Sequence, residues 1–397
     1  MPEKPNDSQS GRSGSGAALA PSKPLQVFLL IALLITGAAY VVDQWTQLTS
    51  EEAMAKRPSK LHRLAANQMA FLTETALGHQ AETNSKFGDA VLHFRRALLK
   101  EDNAEGRLNL GNALLRQGNL DMAFSQFKEA LRLNPNDEKV YIDWGKAYGL
   151  QGKLDEAVQL YRDALRHNSN FAEVHYQFAR VLEQERQNAL ANRRELESSG
   201  DLAAAGRSSA EAQLYETDAL KQYAAAEKGG LKTADFWCAY GTLLNSEGKF
   251  KEAEDCLTKA VALQPTSGPA EFQLALAEDR QGEYAEAVGH YEAALAAIPD
   301  DPATLNNLAI LYATATNQQA RSSKMAVLLA TRVCESTSSQ NPRYLDTLAR
   351  AYASDGDFFQ AIAWEDKAVR RATQLGDHDL VREFQPRFHK FVNHRTE

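Results

Sequence analysis

The chain has 397 residues, with 44 Lys and Arg against 52 Asp and Glu, for a formal net charge of −8. That acidic balance argues against a nucleic-acid partner, which usually meets a basic domain or stripe. Three cysteines (Cys238, Cys256 and Cys334), all in the second half, exclude a disulfide framework.

Residues 1–24 are rich in Ser, Gly and Pro and read as a disordered tail, because such a stretch buries too little surface to offset its ordering entropy. Pro24 to Val42 then runs 19 residues without a charge. At about 1.5 Å per residue that length spans the hydrocarbon core, so a transmembrane helix is expected over 25–42, with Tyr40 and Trp45 at the interface. Two other readings of this run are a buried core helix and a signal peptide cleaved near Ala39, where Gly37-Ala38-Ala39 offers small residues. An uncleaved signal anchor is favoured, since Glu3 and Asp7 lie in the preceding region and apolar residues continue past Ala39. Lys23 is the nearest basic residue, while Asp43, Glu51 and Glu52 precede Lys56 on the other side. That asymmetry places the N-terminus in the cytoplasm and the C-terminal body across the membrane. Residues 43–64 read as a linker.

The body, 65–376, repeats itself. Gly118 to Gly152 and Gly248 to Gly282 are each 34 residues, as are Ala123 to Ala157 and Ala253 to Ala287. Gly111, Gly145 and Ala179 step by 34, and so do Gly241, Ala275 and Ala309. One shared period means stacked units. Each unit reads as two helices. In 138–150 the large residues Tyr141, Trp144 and Tyr148 recur at helical spacing. Gly152 then breaks the chain where a helix end wants positive φ, and Asp155-Glu156 suit the first turn of the next helix. The unit beginning at 172 is stretched: Ala179 and Ala219 are 40 residues apart. The extra segment, 183–212, reads as a projecting helical hairpin, with too few large apolar residues for a persistent coiled coil. The unit 302–340 carries five extra residues before Ala326. Residues 377–397 read as a capping helix and tail that cover the last apolar face.

These units resemble the tetratricopeptide repeat (TPR) family. The unit 104–137 carries Leu110, Gly111, Leu114, Ala123, Phe127, Ala130 and Pro135 at the family's offsets. The unit 234–267 carries Trp237, Tyr240, Gly241, Leu244, Ala253, Leu257, Ala260 and Pro265. Weaker units keep parts of the pattern, from Leu77, Gly78, Ala90, Phe94 and Ala97 at 71–103 to Leu348, Ala349, Tyr352, Gly356 and Ala361 at 342–375. The last two units are similar to repeats common in bacterial envelope TPR proteins. The resemblance implies an all-α fold, a TPR α-solenoid in which about eight helical hairpins form a right-handed superhelix. It also implies a concave groove that binds a protein or peptide. On the family's geometry, residues two, five, nine and thirteen of each first helix face that groove. Those positions select Leu108, Asn112, Arg116, Lys139, Ile142, Lys146, Tyr176, Arg180, Phe272, Arg280, Asp346 and Arg350. Leu108 and Asp143 break the pattern of a clamp for chaperone C-termini.

No HExxH, P-loop, GxGxxG or GxSxG motif occurs, and the nine His residues are scattered. No metal, cofactor or small-molecule substrate is expected, nor a catalytic activity, since the repeats leave no room for a separate catalytic domain of ~100 residues. Cys238 and Cys256 fall on the two helices of one unit, and small packing hydrophobes are the favoured reading over an oxidised pair. The expectation is a membrane-anchored scaffold of the bacterial inner membrane, its repeats outside the cytoplasm. The alternatives are an exported assembly chaperone released near Ala39 and an enzyme with an unrecognised site.

Overall fold

The computed structural model describes residues 60–315 and 321–396. These residues form seventeen helices, and no strand occurs among them. They pair into eight hairpins and a final single helix. The hairpins are α1 (Lys60–Thr83) with α2 (Phe87–Leu98), α3 (Ala104–Arg116) with α4 (Leu120–Leu133), and α5 (Glu138–Leu150) with α6 (Leu154–His167). The long pair is α7 (Ala172–Ser199) with α8 (Leu202–Lys228). Then come α9 (Ala234–Ser246) with α10 (Phe250–Leu263), and α11 (Gly268–Gln281) with α12 (Tyr284–Ala297). The last pairs are α13 (Pro302–Thr314) with α14 (Ser323–Ser336), and α15 (Pro342–Ser354) with α16 (Phe358–Gln374), followed by α17 (His378–Thr396).

The expected membrane helix at 25–42 lies outside the described residues, as do the tail at 1–24 and most of the stretch read as a linker. Helix α1 begins at Lys60, inside that stretch. Among the described residues no helix is long and apolar enough to cross a membrane.

Local chemistry sets the helix ends differently in the two halves of a unit. Most first helices start from a side-chain cap: Asn103, Asp137, Thr233, Ser267, Asp301 and Asn341 each accept a hydrogen bond from a backbone N–H of the first turn. Second helices such as α4, α6, α10 and α12 have no such cap. They begin two residues after a glycine at positive φ, such as Gly118 at 86° and Gly152 at 70°. The Gly118 turn returns the Asn119 N–H to the Leu114 carbonyl at 2.9 Å, which satisfies an end carbonyl of α3.

Within a hairpin, the first helix offers a glycine to a large side chain of the second. A Cβ added at Gly78 or Gly111 would stand 2.5 Å from the ring of Phe94 or Phe127, and one at Gly241 would stand 2.5 Å from Leu257. Ordinary carbon contacts are about 3.5–4.0 Å, so these hairpins are closed to the limit that glycine allows. Units with Ala179 and Ala275 in that place bury Tyr223 and Tyr291 on the partner helix.

Packing runs from neighbour to neighbour along the chain. The core passes from one buried cluster to the next within single helices, at Val140 and Tyr141 on α5 and at Leu274 and Ala275 on α11. The long pair α7–α8 packs on small residues, with Ala189, Ala205, Ser208 and Ala212 buried between the helices. Asn192 donates to Ser208 at 2.9 Å and Arg186 to Glu216 at 2.9 Å. Leu202 and Leu214 stay exposed. Helix α17 seats Leu380 and Phe384 on the final cluster and Phe391 beside Ala349 and Ala361, and so covers the end of the core.

Candidate binding clefts on the first-helix face

Three clefts open along the face formed by successive first helices. The N-terminal cleft, about 490 Å³, lies between α1, α3 and α5. It brings together Asn112, Arg116 and Lys146, three residues selected from sequence, beside Asp143 and Leu150. Asn112 donates to the Asp143 carboxylate at 2.7 Å, which ties α3 to α5 across the floor. The Arg116 guanidinium stands 5.9 Å from the centre of the Phe87 ring, within cation–π range. Leu150 is 91% exposed at the cleft's edge. The sequence reading passed it over although it holds the thirteenth position of α5, the one that selected Arg116 on α3.

The middle cleft, about 380 Å³, lies where α7 meets α9 and the start of α11. Tyr176, Arg180 and Glu183 line one wall, and Asp235, Cys238 and Thr242 the other. Tyr176 is buried, with its ring 5.9 Å from Phe236 and 6.1 Å from Tyr223. Arg180 donates to the Tyr176 hydroxyl at 3.5 Å and pairs with Glu183 at 3.4 Å. Burial pushes the Glu183 carboxyl up, against the pull of the Tyr223 hydroxyl and of Arg180 and Arg186. The Cys238 thiol is pushed up for the same reason, and this cysteine and Cys256 are both free thiols.

The C-terminal cleft, about 530 Å³, lies between α13, α15 and α17. Arg350 lines it, with Arg387, Lys390 and His394 facing from α17. Asp346, the groove position one turn before Arg350, is instead buried beneath it. There it contacts Arg387 and lies beside the fully buried Glu365. Burial raises both carboxyls. Each also feels the other, and Arg387 and Arg350 pull in the opposite direction.

The remaining sequence-selected residues lie outside the clefts. Leu108 and Ile142 are buried in the repeat core, because the fifth position of α3 and α5 turns into the packing with the neighbouring unit. Phe272 packs on Tyr291, with ring centres 5.9 Å apart. Lys139 and Arg280 are exposed but line none of the three clefts.

A profile of the tetratricopeptide repeat family matches residues 75–138, 246–302 and 272–320. Those segments are tetratricopeptide repeats. The first matched segment contains the Gly78–Phe94 and Gly111–Phe127 contacts described above. Among solved structures, the C-terminal part of a TPR repeat-containing protein from Cytophaga hutchinsonii aligns at 13% identity, over 70% of this chain and 99% of that one, with a TM-score of 0.47. A tetratricopeptide repeat protein from Parabacteroides merdae aligns at 15% identity over 71% and 98%, with a TM-score of 0.41. YrrB, described as a TPR protein with an unusual peptide-binding site, aligns at 17% identity over 66% and 97%, with a TM-score of 0.37. No curated protein matches the chain in sequence.

The TPR array also holds polar pairs that were not read from the sequence. His93 Nδ1 lies 2.7 Å from Glu74, and His290 Nδ1 lies 2.6 Å from Glu271, at equivalent places in two units. Glu278 sits 3.4 Å from the other His290 nitrogen, and burial together with Glu254, Glu283, Glu286 and Glu271 pushes it up to about 8. Among the described residues no group of three or more His, Cys, Asp or Glu is arranged to hold a metal ion.

Proposed function

We propose that this protein is a membrane-anchored TPR scaffold, without catalysis, that holds a partner protein or peptide against its first-helix face. The observation that carries the reading is the alignment of three clefts on one face, where Arg116, Lys146, Arg180 and Arg350 stand beside apolar side chains such as Leu150. Cationic groups next to exposed apolar surface suit a segment with both carboxylate and apolar side chains. In this reading residues 25–42 cross the membrane, with the array outside the cytoplasm, and the tether raises the effective concentration of membrane-associated partners.

The test is quantitative co-purification from membranes with the triple variant Arg116→Ala, Lys146→Ala, Arg180→Ala. All three side chains are exposed, so the helical signal and unfolding profile should be unchanged. A stoichiometric partner should be recovered with the parent protein and lost with the variant. Full recovery with the variant rejects the assignment of this face. A C-terminal reporter fusion tests the topology, and the mass of the mature N-terminus separates a retained anchor from an exported form cleaved near Ala39.

A further inference from the structure

The C-terminal cleft differs from the other two in how it is built. One wall is α17, the helix that ends the array, standing where the first helix of a ninth hairpin would stand. Four cationic side chains, Arg321, Arg350, Arg387 and Lys390, converge with His394 on a cleft of about 530 Å³ in a chain whose formal net charge is −8. Glu383 is the one carboxylate among the lining residues.

Two of the guanidinium groups are held from behind. Arg387 contacts the Asp346 carboxylate, lies 3.7 Å from Glu365 and 3.8 Å from Glu383, and keeps 23% of its side chain exposed. Arg350 lies 3.9 Å from Asp346 and keeps 26% exposed. Glu365 is fully buried, and neither of its carboxyl oxygens has a hydrogen-bond donor. Asp346 therefore braces both arginines from behind. Apolar lining comes from Phe358, stacked on His394 with centres 5.3 Å apart, from the buried Phe391, and from Ala313 and Ala353. The cleft's volume falls in the range of roughly 300–1,000 Å³ typical of small-ligand sites, enough for a short stretch of chain.

The geometry points to a second function for the capping helix: with α13 and α15 it forms a recognition site for an acidic, aromatic-bearing segment of a partner protein. This rests on the reading of the array as a protein-binding scaffold, and it names the ligand class of one end. Arginines braced by a buried carboxylate suit bidentate contact with Asp and Glu side chains, and the Phe358–Phe391 lining takes the aromatic group. A nucleic-acid strand fits less well, because the acidic body repels a long polyanion while the cationic surface here is local.

The test uses the full-length protein in detergent micelles. The probe is a fluorescein-labelled hexapeptide, Glu-Asp-Phe-Glu-Asp-Phe, followed by anisotropy, with the Gln/Asn counterpart as control. Saturable binding is expected for the acidic peptide, at least tenfold tighter than for the control, and weakening as NaCl rises from 0.05 to 0.5 M, as screening requires. Lys390→Glu, at an exposed position away from the buried acids, should weaken binding at least tenfold with no change in thermal unfolding. Arg350→Gln should also weaken binding at least tenfold, with some loss of stability because it lies against the buried Asp346. Lys128→Ala, at an exposed position on α4 outside the three clefts, should leave binding of this probe unchanged, and Arg116→Ala with Lys146→Ala serves as the N-terminal-cleft variant for comparison. Equal binding of the uncharged peptide, no saturable binding, or full binding to Lys390→Glu overturns the proposal. So does displacement of the probe by equimolar hexathymidylate. Loss in the N-terminal-cleft variant with retention in Lys390→Glu would leave the scaffold reading standing and reject this site.

Discussion

Gly145 and Gly149 lie one turn apart on α5, and the structure predicts opposite outcomes when each becomes alanine. Alanine in a helix interior is favoured over glycine by roughly 0.8–1.0 kcal/mol. At Gly149 an added Cβ meets nothing within 4 Å, so Gly149→Ala gains up to about 1 kcal/mol, less what is lost by proximity to the helix end. At Gly145 the same Cβ would stand 2.5 Å from Cε1 of Tyr161 and closer still to Cζ. Reaching an ordinary contact requires the ring to retreat by about 1 Å or more. Tyr161 is fully buried, and Phe178 stands behind it with ring centres 6.1 Å apart. Overpacking of this kind typically costs about 1–3 kcal/mol. Set against the helix gain, Gly145→Ala should be destabilising by up to about 2 kcal/mol. Repeat arrays unfold in parts, so the assay is native-state hydrogen exchange on the amides of α5 and α6. Exchange there should quicken by up to roughly 30-fold in Gly145→Ala and slow by up to about 5-fold in Gly149→Ala. Gly145→Ala exchanging as slowly as Gly149→Ala would refute the claim that glycine sets how closely these hairpins close.

Four further outcomes follow from the packing and the buried charges. Phe127→Ala removes a fully buried ring from the α3–α4 hairpin and should cost about 3–5 kcal/mol, read as loss of exchange protection in α3 and α4 before distant units. In the long hairpin, Ala212→Leu overfills the small-residue seam and should destabilise it by about 1–3 kcal/mol, whereas Leu214→Lys, at an exposed position, should change stability by under about 0.5 kcal/mol in the same denaturant titration. Glu278 binds its proton more tightly folded, at about 8, than the ordinary 4.5, so the folded array gains protons between those values. Its contribution is fully favourable below 4.5 and is lost as pH rises through 8. Glu278→Gln should therefore flatten the fall in stability between pH 5 and pH 9, and an unchanged slope would contradict this. Burial pushes the Cys256 thiol up to about 12, so alkylation by iodoacetamide at pH 8 should wait for denaturant, as peptide mass mapping can show.

The period of Gly111, Gly145 and Ala179, with the large residue 16 positions after each glycine, was enough to place the hairpins, because packing tolerates little else at that contact. The turn glycines and the role of α17 were legible for the same reason. The clefts were legible where exposure follows helical position, as at Asn112, Arg116 and Lys146. They were misread where the same position turns inward, as at Leu108 and Ile142, since sequence spacing alone does not say how far one hairpin rotates against the next. The seam of α7–α8 was hidden because Ala205, Ser208 and Ala212 carry no apolar periodicity strong enough to stand out. The pairing of Asp346 and Glu365 with Arg387 joins three helices, and nothing local in the sequence announces it. A signal for the basic wall was present: Leu380, Phe384 and Phe391 give α17 an inward face, which leaves Lys390 and His394 turned away from the core.

The central claim is that one face of the array, and not its whole surface, meets the partner. Leu150 and Leu99 provide the sharpest comparison, since they are 91% and 84% exposed yet only Leu150 borders a cleft. A photo-reactive benzoylphenylalanine placed at each position in the membrane-bound protein, then irradiated, tests the difference directly. The account predicts a discrete cross-linked adduct from position 150 and none from position 99; an adduct from 99 with none from 150 would contradict it.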